Sequence, residues 1–298
     1  MTIRPRAPQR HLRAEVLLLV CVLIWAANYP LAKYGIEGMN SFIFNGIRYV
    51  VAASVLASVA GIRSGWTPIE RQDWKRLLRA GFIANVVYQI AFIIALGLTT
   101  AGNSAILLAT SPLWTVFLSS RIHGERVSRQ VWAGMWISLA GIAMIVFGGG
   151  DKFEVGRSAL IGDVICLGAA FFWATSTILQ KPLLVRYSPQ QVSLVMVAVG
   201  AVGLCIIAGP SMASASWGEV DWTYYAAAIA SGAASIGIAN LFWSYGVQRL
   251  GPTRTGNFGN LIPALALGIS YVTLGEQLTL MQVIGAGVTL AGIWYARR

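Results

Sequence analysis

Charge is what this chain is short of. Only 11% of its 298 residues are Asp, Glu, Lys or Arg, against about 25% in an average soluble domain. The water-facing surface of a soluble protein is therefore missing, which excludes a soluble enzyme, a nucleic-acid-binding domain and a disordered chain. Histidine occurs twice, at His11 and His123, and HExxH is absent. No pair of aspartates lies mid-span, so neither metal-dependent nor aspartyl intramembrane proteolysis has the residues it needs. The three cysteines (Cys21, Cys166, Cys205) fall inside apolar runs without CxxC or metal spacing, and read as inert buried thiols. No metal and no cofactor is expected. Long hydrophilic stretches are lacking too, so no soluble domain is expected.

What is present is apolar: 56% of residues are hydrophobic and the mean hydropathy is +0.66. A helix crossing about 30 Å of hydrocarbon needs about 20 mostly apolar residues. Ten such segments can be marked, at 14–34, 40–61, 77–98, 102–120, 129–147, 159–180, 190–209, 222–246, 254–274 and 280–296. The joins are short and carry breakers such as Gly148-Gly149-Gly150-Asp151, Ser188-Pro189 and Gly251-Pro252, which implies tight helical hairpins. Residues 1–13 form a basic arm; the apolar run after them is too long for a signal-peptide core and reads as the first retained span.

The net charge of +11 sets orientation and does not point to nucleic acid. With the N-terminus inside, 18 of the 22 Lys and Arg fall in cytoplasmic segments, three (Lys33, Lys152, Arg157) fall outside and Arg48 lies within a span. That split predicts both termini in the cytoplasm and a multi-pass protein of the cell inner membrane.

The chain also repeats itself. Shifted by 151, Pro112 falls on Pro263, Ser119 on Ser270, Gly124-Glu125 on Gly275-Glu276, Gly134 on Gly285 and Leu139-Ala140-Gly141-Ile142 on Leu290-Ala291-Gly292-Ile293, or 9 identities over positions 112–142. Shifted by 148, Trp25-Ala26 falls on Trp173-Ala174, Leu31 on Leu179 and Lys33 on Lys181. The expected fold is thus an all-α membrane protein of ten helices in two five-helix repeats, at 14–147 and 159–298, joined by a linker at 148–158. Five is odd, so the second copy starts on the opposite side of the membrane. Inverted repeats of this kind are a transporter architecture with the binding site near the midplane between the halves.

Several of these motifs resemble a known family. Trp25-Ala-Ala-Asn28-Tyr-Pro-Leu-Ala-Lys33, Arg48, the run from Asn103 through Pro112, Gly124-Glu125-Arg126, Gly134 and Gly141, and its second-half counterpart at Gly251-Pro252-Thr253-Arg254, Pro263, Gly275-Glu276, Gly285 and Gly292 are similar to EamA-type carriers of the drug/metabolite transporter superfamily. The resemblance implies a ten-helix metabolite carrier, usually an exporter. Asn85, Tyr88 and Gln89 with Trp173 resemble the exporters of aromatic and neutral amino acids. Before the fourth-span proline stands Ala109-Thr110-Ser111, less aromatic than in aromatic-specific members, which implies a preference shifted toward smaller neutral amino acids.

Read residue by residue, Pro112 and Pro263 kink their spans as static bends or hinges. Glu125 and Glu276 precede the fifth and tenth spans beside the candidate N-caps Ser128 and Thr279, as capping carboxylates or as proton-coupling ones, the latter weakened by a four-residue loop that places each near the water. Lys33 and Lys181 close the first and sixth spans, as dipole partners that snorkel to the interface or as gate latches. Asp163 reads as a dipole partner at the outer end of the sixth span. Arg48, on the order of 13 Å deep, either meets a substrate carboxylate or ties helices together through backbone carbonyls.

Trp25 and Trp173 share a repeat position beside Asn28 and Ser176-Thr177. Asn85, Tyr88 and Gln89 sit close together on the third span, and Asn240 and Trp243 on the eighth. Amides and hydroxyls beside aromatic faces suit a zwitterion with an apolar body, and equally suit interhelical hydrogen bonds. Substrate-binding candidates are these residues and Ser111.

The expected function is export of small neutral or aromatic amino acids, or related metabolites, by alternating access and without a coupling ion. The expected partners are that small-molecule substrate and the lipid bilayer, and the expected form is a monomer. A proton-coupled exporter of drugs or other metabolites is the alternative; it calls for a buried carboxylate, and none stands securely in the core. Reporter fusions at either end should place both termini in the cytoplasm; periplasmic placement of either would overturn the charge argument.

Overall fold

In hydrocarbon each backbone N–H and C=O must find a partner within its own segment, so apolar runs of this length fold as helices. The computed structural model describes residues 8–62, 66–123, 128–147, 157–259, 261–275 and 278–295. Among the described residues there is helix and no strand. The helices are α1 (Pro8–Gly38), α2 (Ser41–Ile62), α3 (Arg71–Leu98), α4 (Ala101–Leu108), α5 (Ser111–His123) and α6 (Arg129–Phe147). They continue as α7 (Arg157–Arg186), α8 (Pro189–Ala213), α9 (Trp222–Leu250), α10 (Pro252–Gly259), α11 (Leu261–Leu274) and α12 (Leu280–Tyr295).

Among the described residues, seven stretches are long and apolar enough to cross a membrane: Leu12–Gly38, Ser41–Ala60, Arg71–Leu98, Ala101–Leu118, Ser158–Arg186, Pro189–Ala213 and Trp222–Leu250. Helices α6, α11 and α12 lie in the segments marked as the fifth, ninth and tenth spans. Several helices outrun the marked segments because polar residues at their ends prolong them past the apolar run.

The ends are capped by the residues beside them. Thr100 and Ser188 accept from the N–H groups of Asn103 and Gln191, and Asp221 accepts from Thr223, filling donors that a helix start leaves free. Thr279 and Gln282 form a reciprocal capping box: the Thr279 hydroxyl accepts from the Gln282 N–H, and the Gln282 side chain accepts from the Thr279 N–H. Gly251, at φ 85°, turns the chain from α9 into α10. Glu125 and Glu276 lie outside the described residues.

Pro112 does not kink a continuous helix. The chain leaves the α-helix at Ala109–Thr110, where the Ala109 and Thr110 N–H groups reach back three residues to Ile106 and Leu107, and Pro112 stands in the first turn of α5. There its missing N–H removes no helix bond. Pro263 occupies the third position of α11.

Side-chain hydrogen bonds sort the helix ends into two faces. On the first face, Lys33 at the end of α1 donates to the carbonyls of Leu96 and Thr99 at 2.7 and 2.9 Å, and Thr99 donates to Asp163 of α7 at 2.8 Å. Tyr34 meets Thr223 of α9, and Gln282 of α12 donates to Asn103 of α4. On the second face, Arg186 at the end of α7 bonds Asp73 and Glu70 at the start of α3, Tyr187 donates to Asp73, and Gln248 of α9 donates to the carbonyls of Leu184 and Tyr187.

Glycine lets backbones touch at four matched places. A Cβ on Gly141 of α6 would stand 2.5 Å from the Thr289 nitrogen of α12, and one on Gly292 of α12 would stand 2.5 Å from the Ser138 nitrogen of α6. A Cβ on Gly81 of α3 would press on the Met196 backbone of α8, and one on Gly232 of α9 on the Arg48 backbone of α2. Overpacking a tight contact costs about 1–3 kcal/mol. Gly141→Ala should therefore lower the thermal unfolding temperature in detergent by several degrees, whereas Gly209→Ala, whose added Cβ meets nothing within 4 Å, should leave it in place. Equal melting of the two variants would contradict this packing.

Candidate functional site

Two apolar clusters leave a gap between them. Met39, Phe44, Phe92, Leu96, Ala101 and Ala105 belong to the cluster toward the first face, and Leu18, Leu77, Leu183, Val192 and Val247 to the one toward the second. Between them lies a cavity of about 160 Å³, walled by α1, α2, α3, α4, α5, α7, α9, α10 and α11. On the first-face side α4 packs against α11, whereas α5 packs against α7; Ser111, Pro112, Thr115 and Val116 of α5 and Gly256 and Gly259 of α10 are left along the cavity.

One wall is aromatic. Trp25 of α1, Trp173 of α7 and Trp243 of α9 touch each other, with ring centroids 5.0 Å (Trp25–Trp243), 5.5 Å (Trp25–Trp173) and 6.0 Å (Trp173–Trp243) apart. Tyr88 of α3 joins at 5.2 Å from Trp173 and lies stacked on Phe92, which meets Tyr29 edge-on. Offset and edge-to-face contacts of this kind hold large rings in fixed orientations. The Trp25 indole N–H donates to the Ser235 carbonyl at 3.1 Å. The buried Trp243 indole N–H has no partner among the described residues.

The lining is polar as well. Residues Ile83–Val87 of α3 and Gly232–Ala239 of α9 are wound as π-helix, a widening frequent at functional sites. In the first of these, Asn85 accepts from the Tyr49 hydroxyl at 3.0 Å and donates to the Met196 carbonyl at 3.0 Å. Arg48 is 1% exposed. It donates to Asn45 at 2.9 Å and to Gln89 at 3.5 Å, and its guanidinium carbon lies 5.5 Å from the centre of the Phe44 ring. Asn45 donates in turn to the Gln89 carbonyl. Asn28 accepts from Ser231 at 2.5 Å.

The structure brings Trp25, Asn28, Arg48, Asn85, Tyr88, Gln89, Ser111, Pro112, Trp173, Asn240 and Trp243 to this one cavity. Lys33 and Lys181 are not among its described lining residues, and the side chain of Pro263 lies outside the described residues. Lys33 is tied to the end of α3, while Lys181 is exposed. Asp163 is buried and hydrogen-bonded to Thr99. Sequence reasoning passed over Tyr29 and Phe92, which line the cavity four residues beyond Trp25 and Tyr88, one helical turn away. Asn45, three residues before Arg48, was legible by the same spacing. Ser235 and the glycines of α10 carried no such signal.

Two stretches, residues 12–147 and 160–298, each match the EamA-like transporter family. The chain belongs to that family. An uncharacterized transporter of Archaeoglobus fulgidus is 26% identical over 283 residues, covering 95% of this chain and 96% of that one. A probable terminal-alkyne amino-acid exporter of Streptantibioticus cattleyicolor is also 26% identical, over 96% of this chain and 94% of its own length. A solved crystal structure superposes with a TM-score of 0.70 at 19% identity, covering 95% of this chain and 96% of that one, a likeness of fold alone. EamA members are transporters and not enzymes, so this chain is a multi-pass membrane transporter for a small molecule. For an EamA carrier, Trp173 is the informative ring because it touches Trp25, Trp243 and Tyr88 at once. Trp173→Ala should reduce transport at least tenfold while leaving the amount of membrane-inserted protein unchanged; transport at the native rate would remove Trp173 from the substrate path.

Proposed function

We propose that this EamA transporter exports small neutral or aromatic amino acids, or closely related metabolites, across the inner membrane by alternating access and without a coupling ion. One observation carries the reading: a single cavity takes aromatic and amide side chains from both repeats, with Trp25, Asn85 and Gln89 on one side of the linker and Trp173, Asn240 and Trp243 on the other. Rings cover an apolar body and amides hold the polar end. The name of the Streptantibioticus relative, an amino-acid exporter, points the same way.

The reading includes ten spans in two inverted five-helix repeats with both termini inside, acting as a monomer. The matched contacts support it. Gly141 and Gly292 stand 151 residues apart, as do Ser138 and Thr289, and Gly81 and Gly232; Met196 follows Arg48 by 148. The glycines thus press on repeat-related partners in exchanged halves, and the π-wound segments of α3 and α9 overlap at the same offset. Two halves with interchangeable contacts can trade conformations, which opens the cavity to each side in turn. The closed packing of α4 on α11, and the lining that α5 and α10 give to the cavity, favour a state open toward the second face, which this topology puts in the cytoplasm. Pro112 lies where α4 gives way to α5, so it and Pro263 are the hinge positions, with Lys33 and Lys181 at the gates.

Proteoliposomes preloaded with unlabelled amino acids should take up labelled ones from a panel running from Thr to Trp, with no ion gradient, and should exchange one size class. Absence of exchange by correctly folded protein would leave an obligatory ion or a different substrate class.

A further inference from the structure

Within that reading, we propose that the cavity selects members of the substrate class that carry net negative charge, carboxylates whose amine is acylated or replaced by hydroxyl, and that the membrane potential drives their export. The inference rests on the proposed export of amino acids and related metabolites, and it names which of them.

Of the described residues that line the cavity, Arg48 is the only charged one, and no acidic side chain stands among the rest. Among the described residues, the ion pairs are those of Arg186 with Glu70 and Asp73, and none involves Arg48. Its neighbours are the neutral oxygens of Asn45 and Gln89, and its Nε has no partner among the described residues. A second donor on the cavity, the Trp243 indole N–H, is likewise buried and unpartnered. A lone cation inside a membrane protein is costly, and an anion relieves that cost. Guanidinium meets carboxylate with two parallel hydrogen bonds.

The charge count then separates the candidate substrates. An anion brings the Arg48 site to neutrality. A free amino acid leaves it at one positive charge and puts its ammonium where no carboxylate waits. For an anion, the whole cycle moves one negative charge outward, whichever step carries it. In a cell that is negative inside, that movement runs downhill without a coupled proton. Among the described residues, the cavity lining holds no carboxylate to carry one.

The test uses the full-length protein in proteoliposomes, with N-acetyl-L-phenylalanine and L-phenylalanine as probes and a valinomycin-imposed potassium potential. An inside-positive potential of ~100 mV is worth about 50-fold at equilibrium for a monovalent anion. The acetylated acid should accumulate toward that limit, reverse its direction with the sign of the potential, and be competed by its own unlabelled form but not by uncharged N-acetylphenylalaninamide. Free phenylalanine should show no response to potential. Arg48→Gln should raise the half-saturating concentration of the acetylated acid at least tenfold, and Arg48→Lys, which keeps the charge, by less. The comparison of acid with amide on the native protein holds even where Arg48→Gln fails to fold. Preferential exchange of free phenylalanine, with fluxes indifferent to potential, would overturn this inference and leave the export reading standing. Transport of neither probe nor of any amino acid would overturn both.

Discussion

The bundle depends on close approach of backbones between its halves. In a membrane, helices gain little from burying apolar side chains that lipid would solvate as well, so small residues that let backbones touch do the joining. Here Gly81 and Gly232 seat α3 and α9 against the backbones of Met196 and Arg48, while Gly141 and Gly292 bring α6 and α12 into mutual contact, secured by the Ser138 hydroxyl donating to the Thr289 carbonyl. The glycine seating α9 rests on the residue whose side chain brings a charge to the cavity. Frame and site therefore meet at Arg48, whose backbone seats α9 while its guanidinium is held from α2 and α3.

The π-wound segments follow from the same geometry. Widening the helix at Ile83–Val87 and at Gly232–Ala239 rotates the residues beyond each segment relative to those before it. In α3 this lets Asn85 engage both Tyr49 and Met196 while Tyr88 and Gln89 still reach the cavity. In α9 it frees the Ser235 carbonyl to hold the Trp25 indole. A regular α-helix keeps its carbonyls for its own turns. The widened turns supply polar groups at membrane depth without a charged residue.

Much of this was legible because membrane solvation leaves a coarse record in sequence. Span length, charge placement and the offsets of 151 and 148 require only counting, and the residues marked for chemistry were those too polar or too aromatic for lipid. What escaped has physical causes. The break at Ala109–Thr110 reads in sequence as a proline kink, since nothing local says whether Pro112 interrupts a helix or begins one. The π segments have no compositional mark, IANVV and GAASIGIA being ordinary apolar helix. Ser235 enters the site through its carbonyl, which every residue has. Lys33 and Lys181 look alike in sequence, yet α3 ends beside Lys33 and offers it free carbonyls, while Gln248 donates to the α7 carbonyls beyond Lys181.

That difference between the lysines belongs to a pattern. The halves share backbone contacts closely and side-chain charges poorly. Arg48 has apolar Met196 as its counterpart, Asp73 has Tyr224, and Arg186 has Gly38, where the ring of Tyr224 fills the space that a side chain would need. The second face consequently carries the Asp73–Arg186–Glu70 ion pairs, and the first the tilted ring pair Tyr34–Tyr224, 4.9 Å apart, beside the hydrogen bonds of Lys33 and of Thr99 with Asp163. Two states related exactly by the two-fold axis of the proposed repeats would have equal energy. In the proposed alternating-access reading, ion pairs at one face, against a ring pair and the Lys33–carbonyl bonds at the other, would make the states unequal, because an ion pair opened to water regains hydration while an opened ring pair exposes apolar surface. In that reading the shared backbone frame would allow the exchange of states, and the unshared side chains would set how the population divides between them.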